Sequence, residues 1–298
     1  MMRRLLAGLA ALAIAGVAFL MWPRQGAIVI PDGIASSDEG MEARGAYLVH
    51  AAGCLSCHWN KKGGGEPYAG GRPIESPFGI FYSPNITPDR VTGIGDWSDQ
   101  EFAEAVLHGI GREGENLYPA LPFASYAGMT IEDVLAIKAW LMSLPPVRRE
   151  NRTHNIDLLL MWRPFLSGWR LLFFDGPHDE HEKRARSRGA YLVEVLGHCG
   201  ECHTPRNALG GFDGARAFGG ARLGKAVAPN ITPHEDGIGG WSRDAIITFL
   251  DDGTTPDFDV AGGEMAEVIE HGTSHLTDDD RAAMADYLLG LPPLAGKP

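Results

Sequence analysis

Apolar residues recur at helical spacing in several short segments of the chain, with polar residues between them. Helices are predicted at residues 41–52 and 182–197, which read MEARGAYLVHAA and EKRARSRGAYLVEVLG. Sustained alternation of apolar and polar residues is scarce, so few strands are expected. The pattern therefore predicts short helices joined by irregular loops.

Capping residues mark the start of four further helices. Ser98 and Glu101 form a capping-box pattern before an apolar-periodic segment, and Ser242 precedes a second such segment. Thr130 and Thr277 each have an aspartate three residues later, and each opens a helix that a Leu-Pro-Pro sequence stops. These elements follow one another in the same order in both halves of the chain.

The two halves are copies of one another. Cys54 and Cys199 are 145 residues apart (199 − 54), and the two Pro-Asn-Ile-Thr-Pro segments at 84–88 and 229–233 have the same separation (229 − 84). A unit of roughly 110 residues is large enough to have a core of its own. Two copies are too few for a solenoid, so two domains are predicted.

All four cysteines lie in two copies of the pattern Cys-x-x-Cys-His: Cys54, Cys57 and His58 in the first, and Cys199, Cys202 and His203 in the second. Two thiols at this spacing reach the two vinyl groups of a haem, and the adjacent imidazole meets its iron. The motifs therefore predict two covalently bound haem c groups, with His58 and His203 as proximal iron ligands.

Two other uses of the cysteines are weaker. A four-thiolate zinc cluster leaves both histidines unexplained and needs no repeat of roughly 100 residues around each cysteine pair. A disulfide between cysteines three residues apart closes too short a loop to stabilise a chain of this length. Both alternatives remain open at this point.

An apolar run lies at the N-terminus. Arg3 and Arg4 precede 18 uninterrupted apolar residues, from Leu5 to Trp22. This length is long for a cleaved signal peptide and suits an uncleaved anchor at residues 1–25. The arginines would stay in the cytoplasm, which places the rest of the chain on the periplasmic side of a bacterial inner membrane. A cleaved signal peptide is the alternative.

Composition limits the partners. Charged residues make up 21% of the chain and hydrophobic residues 44%, as in ordinary soluble domains. The 26 basic residues against 38 acidic ones give a net charge of −12. This excess of negative charge argues against nucleic-acid binding and favours basic or mixed partner surfaces.

The helix, haem motif, loops and C-terminal helix of each unit together resemble class I cytochrome c domains. The segment from YSPNITPDRVTGIGDWS to WLMSLPPV is similar to the cytochrome subunits of membrane-bound alcohol, gluconate and related dehydrogenases, and the similarity extends from about Gly45 to Pro293. The resemblance implies an all-α fold of two tandem class I cytochrome c domains, at residues 38–148 and 182–295, joined by a linker at 149–181.

The same resemblance implies a function. In such families the cytochrome takes electrons from a catalytic subunit that carries a flavin, quinone or molybdenum centre, and passes them to quinone or a terminal oxidase. The chain shows no dinucleotide fingerprint or nucleophile elbow of its own. We therefore expect an electron-transfer subunit of an oxidoreductase complex rather than an independent catalyst.

The sixth iron ligands differ between the two halves. Met265, 63 residues after Cys202 (265 − 202), is the expected ligand of the second haem, with a core-filling role as the alternative. The corresponding residue of the first half is Leu121, 64 residues after Cys57 (121 − 57), where similar cytochromes carry methionine. Leucine does not bind iron, so Met129 is the predicted replacement, ahead of an open or water-bound iron and, last, His108. The alternative role of Met129 is a hydrophobic staple at the start of the helix that Thr130 caps.

Four more residues are candidate partners of the haem propionates. Trp97 and Trp241 occupy equivalent places in the repeat, and an indole N–H can donate a hydrogen bond to a propionate. Arg72 and Arg222 follow Gly-Gly pairs and carry a charge that would neutralise a propionate. Core packing for the tryptophans and solvation for the arginines are the alternatives.

Other repeated or nearby polar residues have simpler expected roles. Asn85 and Asn230 are expected to build Asx turns. Surface or cap positions are expected for His108, His271 and His275 rather than iron ligation.

The linker is unusually apolar and contains the segment NIDLLLMWRPFLSGWRLLFF at 155–174. Arg163, Pro164 and Arg170 interrupt it, so it is a poor membrane span. It is predicted to be a strap that fixes one domain against the other. The alternative is docking on a membrane surface or on the catalytic partner.

A second functional class also stays open. In dihaem peroxidases one haem stores an electron, and the other lacks a sixth protein ligand and reacts with peroxide. Coordination of the first iron separates the two classes, because a peroxidase needs an open position and a carrier does not.

Overall fold

The computed structural model describes residues 28–161, 163–174, 176, 187–224 and 226–298, together with Gly16. The predicted N-terminal anchor at 1–25 lies outside these residues, except for Gly16. Among the described residues, no helix combines the length and the apolar character needed to cross a membrane.

The first repeat consists of short helices and one hairpin. Its elements are α1 (Met41–Ala51), α2 (Cys54–His58), β1 (Pro73–Ser76), β2 (Gly79–Tyr82), α3 (Asp99–Ala103) followed by a π-helical turn (Glu104–His108), α4 (Phe123–Tyr126) and α5 (Ile131–Ser143). The connecting segment adds β3 (Asn155–Ile156), α6 (Leu158–Met161) and α7 (Pro164–Phe173).

The second repeat follows the same order. Its elements are α8 (Arg188–Ala190) followed by a π-helical turn (Tyr191–Leu196), α9 (Gly200–His203), β4 (Ala221–Leu223), β5 (Ala226–Ala228), α10 (Arg243–Asp252), α11 (Gly263–His271) and α12 (Asp278–Leu289). The predicted helix at 182–197 is described only from residue 187, and most of its described length is π-helical.

The prediction of an all-α fold needs a correction, because the described residues include two small antiparallel sheets. In one, the order is β1-β2-β3, and in the other β4 pairs with β5. Each strand has between two and four residues. Such short strands show too few alternations for the sequence to reveal them.

The predicted helix starts are confirmed. Ser98 and Glu101 form a capping box at the start of α3, and the Ser242 side chain accepts a hydrogen bond from a backbone N–H of α10. The side chains of Thr130 and Thr277 do the same at α5 and α12. These caps satisfy N–H groups that lack a partner within the helix.

A close helix crossing is repeated in the two halves. In the first, α1 crosses α5 at Gly45, where an added methyl group would overlap the backbone carbonyl of Ala136. In the second, α8 crosses α12 at Gly189, where a methyl group would overlap the carbonyl of Ala283. Only glycine permits the helices to approach this closely.

Replacing Gly45 with alanine is expected to destabilise the protein by about 1–3 kcal/mol, because the added carbon forces α1 and α5 apart. Denaturant unfolding of the haem-loaded protein, followed by far-ultraviolet circular dichroism, measures the effect. Gly168→Ala is the matched control, since that helical glycine has no heavy atom within 4 Å of its added carbon. Equal stability of the two variants would contradict the close crossing.

The two repeats share one hydrophobic core. Buried residues from both, including Val49 of α1 and Val193 of the second repeat, belong to a single cluster. Across it, the Tyr47 hydroxyl donates a hydrogen bond to Asp280, and the Tyr191 hydroxyl donates one to Asp133 over 2.5 Å. Each tyrosine thus reaches the C-terminal helix of the other repeat, in a reciprocal arrangement.

The described part of the connecting segment contacts both repeats, as a strap between them would. β3 extends the sheet of the first repeat, and Ser167 of α7 accepts a hydrogen bond from Asn116 over 2.9 Å. On the other side, the Trp169 indole donates to the carbonyl of Leu209 in the second repeat over 3.0 Å. Leu172 on the outer face is 68% exposed, and docking of this face on a membrane or partner stays a prediction.

Candidate functional site

The cysteines of each motif stand on one helical turn. Cys54 and Cys57 are three residues apart on α2, so their side chains lie on the same face. Burial raises the pKa of Cys54 and of Cys199 to about 12, and raises that of Cys202 to about 11. Burial likewise raises the pKa of Cys57, so the surroundings of all four sulfurs disfavour the thiolate form.

The disulfide and zinc alternatives are wrong for these residues. All four cysteines are described, and none is joined to another by a disulfide. No group of three or more histidine, cysteine, aspartate or glutamate side chains among the described residues gathers around a potential metal position. The four-thiolate cluster that the sequence left open is therefore not formed.

Both motif histidines are oriented by a proline carbonyl. Nδ1 of His58 lies 2.8 Å from the carbonyl oxygen of Pro84, and Nδ1 of His203 lies 2.7 Å from that of Pro229. A carbonyl only accepts, so Nδ1 carries the proton and donates it. The tautomer is thereby set, and the Nε2 lone pair of each ring is available to a metal.

The proline carbonyls are held by the predicted Asx turns, which are confirmed. Oδ1 of Asn85 accepts a hydrogen bond from the backbone N–H of Thr87 over 2.9 Å, and its Nδ2 donates to the carbonyl of Val147 over 2.7 Å. Asn230 repeats the turn and donates to the carbonyl of Leu294 over 2.7 Å. Each loop is thus tied to the chain that follows the last helix of its repeat.

The protonation state of the two rings suits an iron ligand. Burial lowers the pKa of His58 and of His203, while the hydrogen bond to the proline carbonyl partly offsets this effect. Both imidazoles are therefore neutral at pH 7. A pair of cysteine side chains on one helical turn, next to a neutral, oriented imidazole, fits a covalently attached haem in both repeats.

The candidate sixth ligands lie in different surroundings. Met265 is the third residue of α11 and is partly buried. Met129 is 7% exposed and belongs to the main core, directly before the cap Thr130. Leu121 is partly buried just before α4. Iron ligation by Met265 and Met129 stays a prediction.

The candidate propionate partners also differ. Trp97 and Trp241 are partly buried against the main core. Arg72 forms ion pairs with Glu264 and Glu267 of the other repeat, whereas Arg222 is exposed on β4. The propionate roles of these four residues remain predictions.

Of the surface or cap position expected for His108, the surface position is wrong, whereas the residue does lie at the end of a helical turn. This residue ends the π-helical turn and is 8% exposed. Its Nδ1 lies 3.3 Å from a carboxylate oxygen of Glu104, and its backbone carbonyl accepts a hydrogen bond from Arg170 of α7. The connecting helix covers it, which the local sequence does not show. His275 is exposed as expected and stacks on His50 at 3.9 Å between ring centroids.

The two motifs lie against each other, which the sequence did not indicate. Gly53 precedes the first cysteine of one motif, and His198 holds the same place in the other. A carbon added to Gly53 would lie 4.0 Å from Nε2 of His198. The Tyr126 ring packs on His198 at 5.4 Å between centroids.

Other contributors to the site were also missed. Glu201 of the second motif accepts a hydrogen bond from Ser125 of the first repeat over 3.1 Å. The role of the proline carbonyls could have been suspected from the sequence, because each proline follows its motif histidine by the same 26 residues. The contacts between the repeats left no pattern in the sequence, since the residues that meet come from distant parts of the chain.

Comparison with known proteins supports haem attachment at this site. Residues 42–145 match the family model described as cytochrome c. The chain is 41% identical to the diheme cytochrome c-type protein of Cereibacter sphaeroides, over 98% of this chain and 99% of that one.

Similarity also extends to subunits of larger enzymes. The chain is 41% identical to the gluconate 2-dehydrogenase cytochrome c subunit of Pantoea cypripedii, over 86% of this chain and 60% of that one. It is 38% identical to the alcohol dehydrogenase (quinone) cytochrome c subunit of Gluconobacter oxydans, over 86% of this chain and 56% of that one. The chain thus spans less than two thirds of each of these two subunits.

Proposed function

Because the chain belongs to the family of dihaem c-type cytochromes, we propose that it transfers electrons from a dehydrogenase partner to a quinone or a terminal oxidase. The chain carries two covalently bound haem c groups. When bound, these groups supply reversible one-electron chemistry. The cytochrome subunits of gluconate, alcohol and fructose dehydrogenases among its relatives support the partner proposed.

The residues that hold the haems have separate roles in this proposal. The four motif cysteines form the thioether bonds. His58 and His203 bind the irons through Nε2, while Pro84 and Pro229 keep the rings oriented. Met265 supplies the sixth ligand of the second iron, where a thioether favours the reduced state and raises the potential.

The remaining assignments concern the haem edges and the first iron. Met129 binds the first iron in place of the methionine that similar cytochromes carry at the position of Leu121. Trp97 and Trp241 donate to propionates, and Arg72 and Arg222 neutralise them; for Arg72 this requires its guanidinium to serve a propionate alongside or instead of Glu264 and Glu267.

One observation carries the proposal, which is the contact between the two haem-attachment motifs. Gly53 faces His198 across the interface, and Tyr126 fills the space beside them while its hydroxyl donates to the carbonyl of Ala52 over 2.6 Å. Haems attached to these two touching segments would allow an electron to pass from one to the other within a single chain. A carrier between two partners needs that internal step.

We also propose where the protein works. The domains occupy residues 38–148 and 182–295, on the periplasmic side of the inner membrane, and the apolar run from Leu5 to Trp22 anchors them. The acidic surface, with a net charge of −12, favours a dehydrogenase that presents a basic or mixed docking face.

The purified chain is expected to leave its haems oxidised when mixed with alcohols, sugars or aldehydes, because its sequence shows no dinucleotide fingerprint or nucleophile elbow. Haem absorption under anaerobic conditions measures the reduction. Gentle purification from native membranes, followed by mass spectrometry, should then identify a co-purifying dehydrogenase whose substrate reduces the haems. Rapid reduction by substrate with the chain alone would overturn the carrier role.

A further inference from the structure

The helix that carries Met265 is held by the first repeat. The Ser56 hydroxyl of the first motif donates to the carbonyl of Glu267 in α11 over 3.4 Å. At the C-terminal end of the helix, Nδ1 of His50 donates to the carbonyl of His271 over 2.9 Å. The haem-attachment segment of one repeat thus contacts the expected ligand helix of the other.

Arg72 makes the strongest of these contacts. Its Nη2 donates to a carboxylate oxygen of Glu264 over 2.6 Å, and its Nη1 pairs with Glu267. The arginine side chain is only 18% exposed. Glu264 directly precedes Met265 and Glu267 follows it by two residues, so the guanidinium fixes the helix on both sides of the methionine. Charge-assisted hydrogen bonds of this kind are stronger than neutral ones.

The backbone of Arg72 is fixed next to the first haem motif. Its N–H donates to the Ser83 hydroxyl over 3.1 Å, and its carbonyl accepts from the N–H of Ser83 over 3.1 Å. Ser83 directly precedes Pro84, whose carbonyl orients His58. One hairpin, residues 72–84, therefore contacts both the His58 ring and the Met265 helix.

The first repeat holds the ligand helix of the second in this way, but among the described residues the second repeat has no equivalent contact from Arg222 to the first. The other repeat places Arg222 at an exposed position on β4. The second motif contacts the first repeat through a hydrogen bond of 3.1 Å that Ser125 donates to Glu201 and through the packing of His198 on Tyr126, without an ion pair among these contacts. Of the two described segments that carry a predicted sixth ligand, only α11 is held by an arginine that pairs with two carboxylates.

We propose that Arg72 is a positioning residue for Met265, and that the hairpin at 72–84 couples the coordination of the second haem to the first haem site. Arg72 does not touch the iron. It holds α11 so that the Met265 sulfur keeps its place. The inference rests on the proposed ligation of the second iron by Met265.

Arg72→Gln tests the inference in the full chain with both haems attached. The variant is expected to weaken the methionine-to-iron charge-transfer band of the oxidised protein. It should also lower the midpoint potential of the second haem by the equivalent of about a tenfold shift in the reduction equilibrium, about 59 mV for a one-electron couple. Arg72→Lys should recover part of both. The control is Arg90→Gln, which removes an exposed ion pair with Asp96 in the same repeat.

A second variant separates positioning from the electric field of the arginine. Glu264→Gln combined with Glu267→Gln breaks the same ion pairs but removes negative charge. A weaker band in both variants supports positioning. An intact band, with potentials that move in opposite directions, overturns it. A change confined to the first haem in Arg72→Gln also overturns it, since that is the result expected of a propionate partner.

Met265→Ala distinguishes failure of this inference from failure of the proposed ligation. If Met265→Ala leaves the band of the second haem unchanged, Met265 is not the ligand and the inference falls with the ligation. If Met265→Ala removes the band while Arg72→Gln does not, the ligation stands and only the positioning role is overturned.

Discussion

Replacing Cys199 and Cys202 together with alanine is expected to leave one covalently bound haem per chain in place of two. The thioether bonds have no other thiols to form with, because the remaining two cysteines belong to the first motif. His203 keeps its hydrogen bond to Pro229, but one imidazole alone does not retain a haem through denaturation. The mass of the denatured protein counts the haems directly.

The reciprocal variant, with Cys54 and Cys57 replaced by alanine, is the matched control and should also retain one haem. The two variants should differ in spectrum, since the two irons are predicted to have different sixth ligands. A chain that still carried two covalent haems after either change would contradict the assignment of the motifs. So would native protein that contained zinc in place of iron.

Met265→Ala is expected to abolish the methionine-to-iron charge-transfer band of the second haem and to lower its midpoint potential, because a thioether ligand favours reduced iron. Met129→Ala should do the same for the first haem. Spectra of the oxidised proteins and a potentiometric titration measure both effects. Leu121→Met is the matched gain-of-ligand variant, since it restores the methionine that similar cytochromes carry and would offer it to the first iron.

The outcome at Met129 also decides between two functions. If Met129→Ala changes nothing and Leu121→Met creates a new methionine band, the first iron of the natural protein has no methionine ligand. The peroxidase-type alternative would then be supported, and peroxide should bind the first haem of the natural protein. If Met129→Ala removes a band, that alternative is excluded because the iron has no open position.

The features that could be predicted from the sequence depend on residues close together in the chain. Ser98 with Glu101, and Thr130 with Asp133, cap helices across three residues, so the chemistry of the cap is visible in the local sequence. The motif histidines are adjacent to their cysteines. The capping serine and threonine and the haem motif recur in the second repeat, so the residues of both haem sites could be identified from the sequence.

Some local features were still missed because they are too short to show a periodic pattern of apolar residues. The strands have at most four residues, and the π-helical turns share the apolar spacing of an α-helix over five or six residues. The burial of His108 was mispredicted for another reason. It is covered by α7, which is distant in sequence and approaches through Arg170.

The sequence by itself determined that this chain has two copies of a helical, haem-binding unit, since attachment chemistry and helix caps act within a few residues. Only the tertiary structure decided how the copies face each other. Tyr47 meets Asp280 from 233 residues away, and Arg72 meets Glu264 from 192 residues away. Such contacts depend on how helices cross and pack in one shared core, and no spacing in a linear sequence records that geometry.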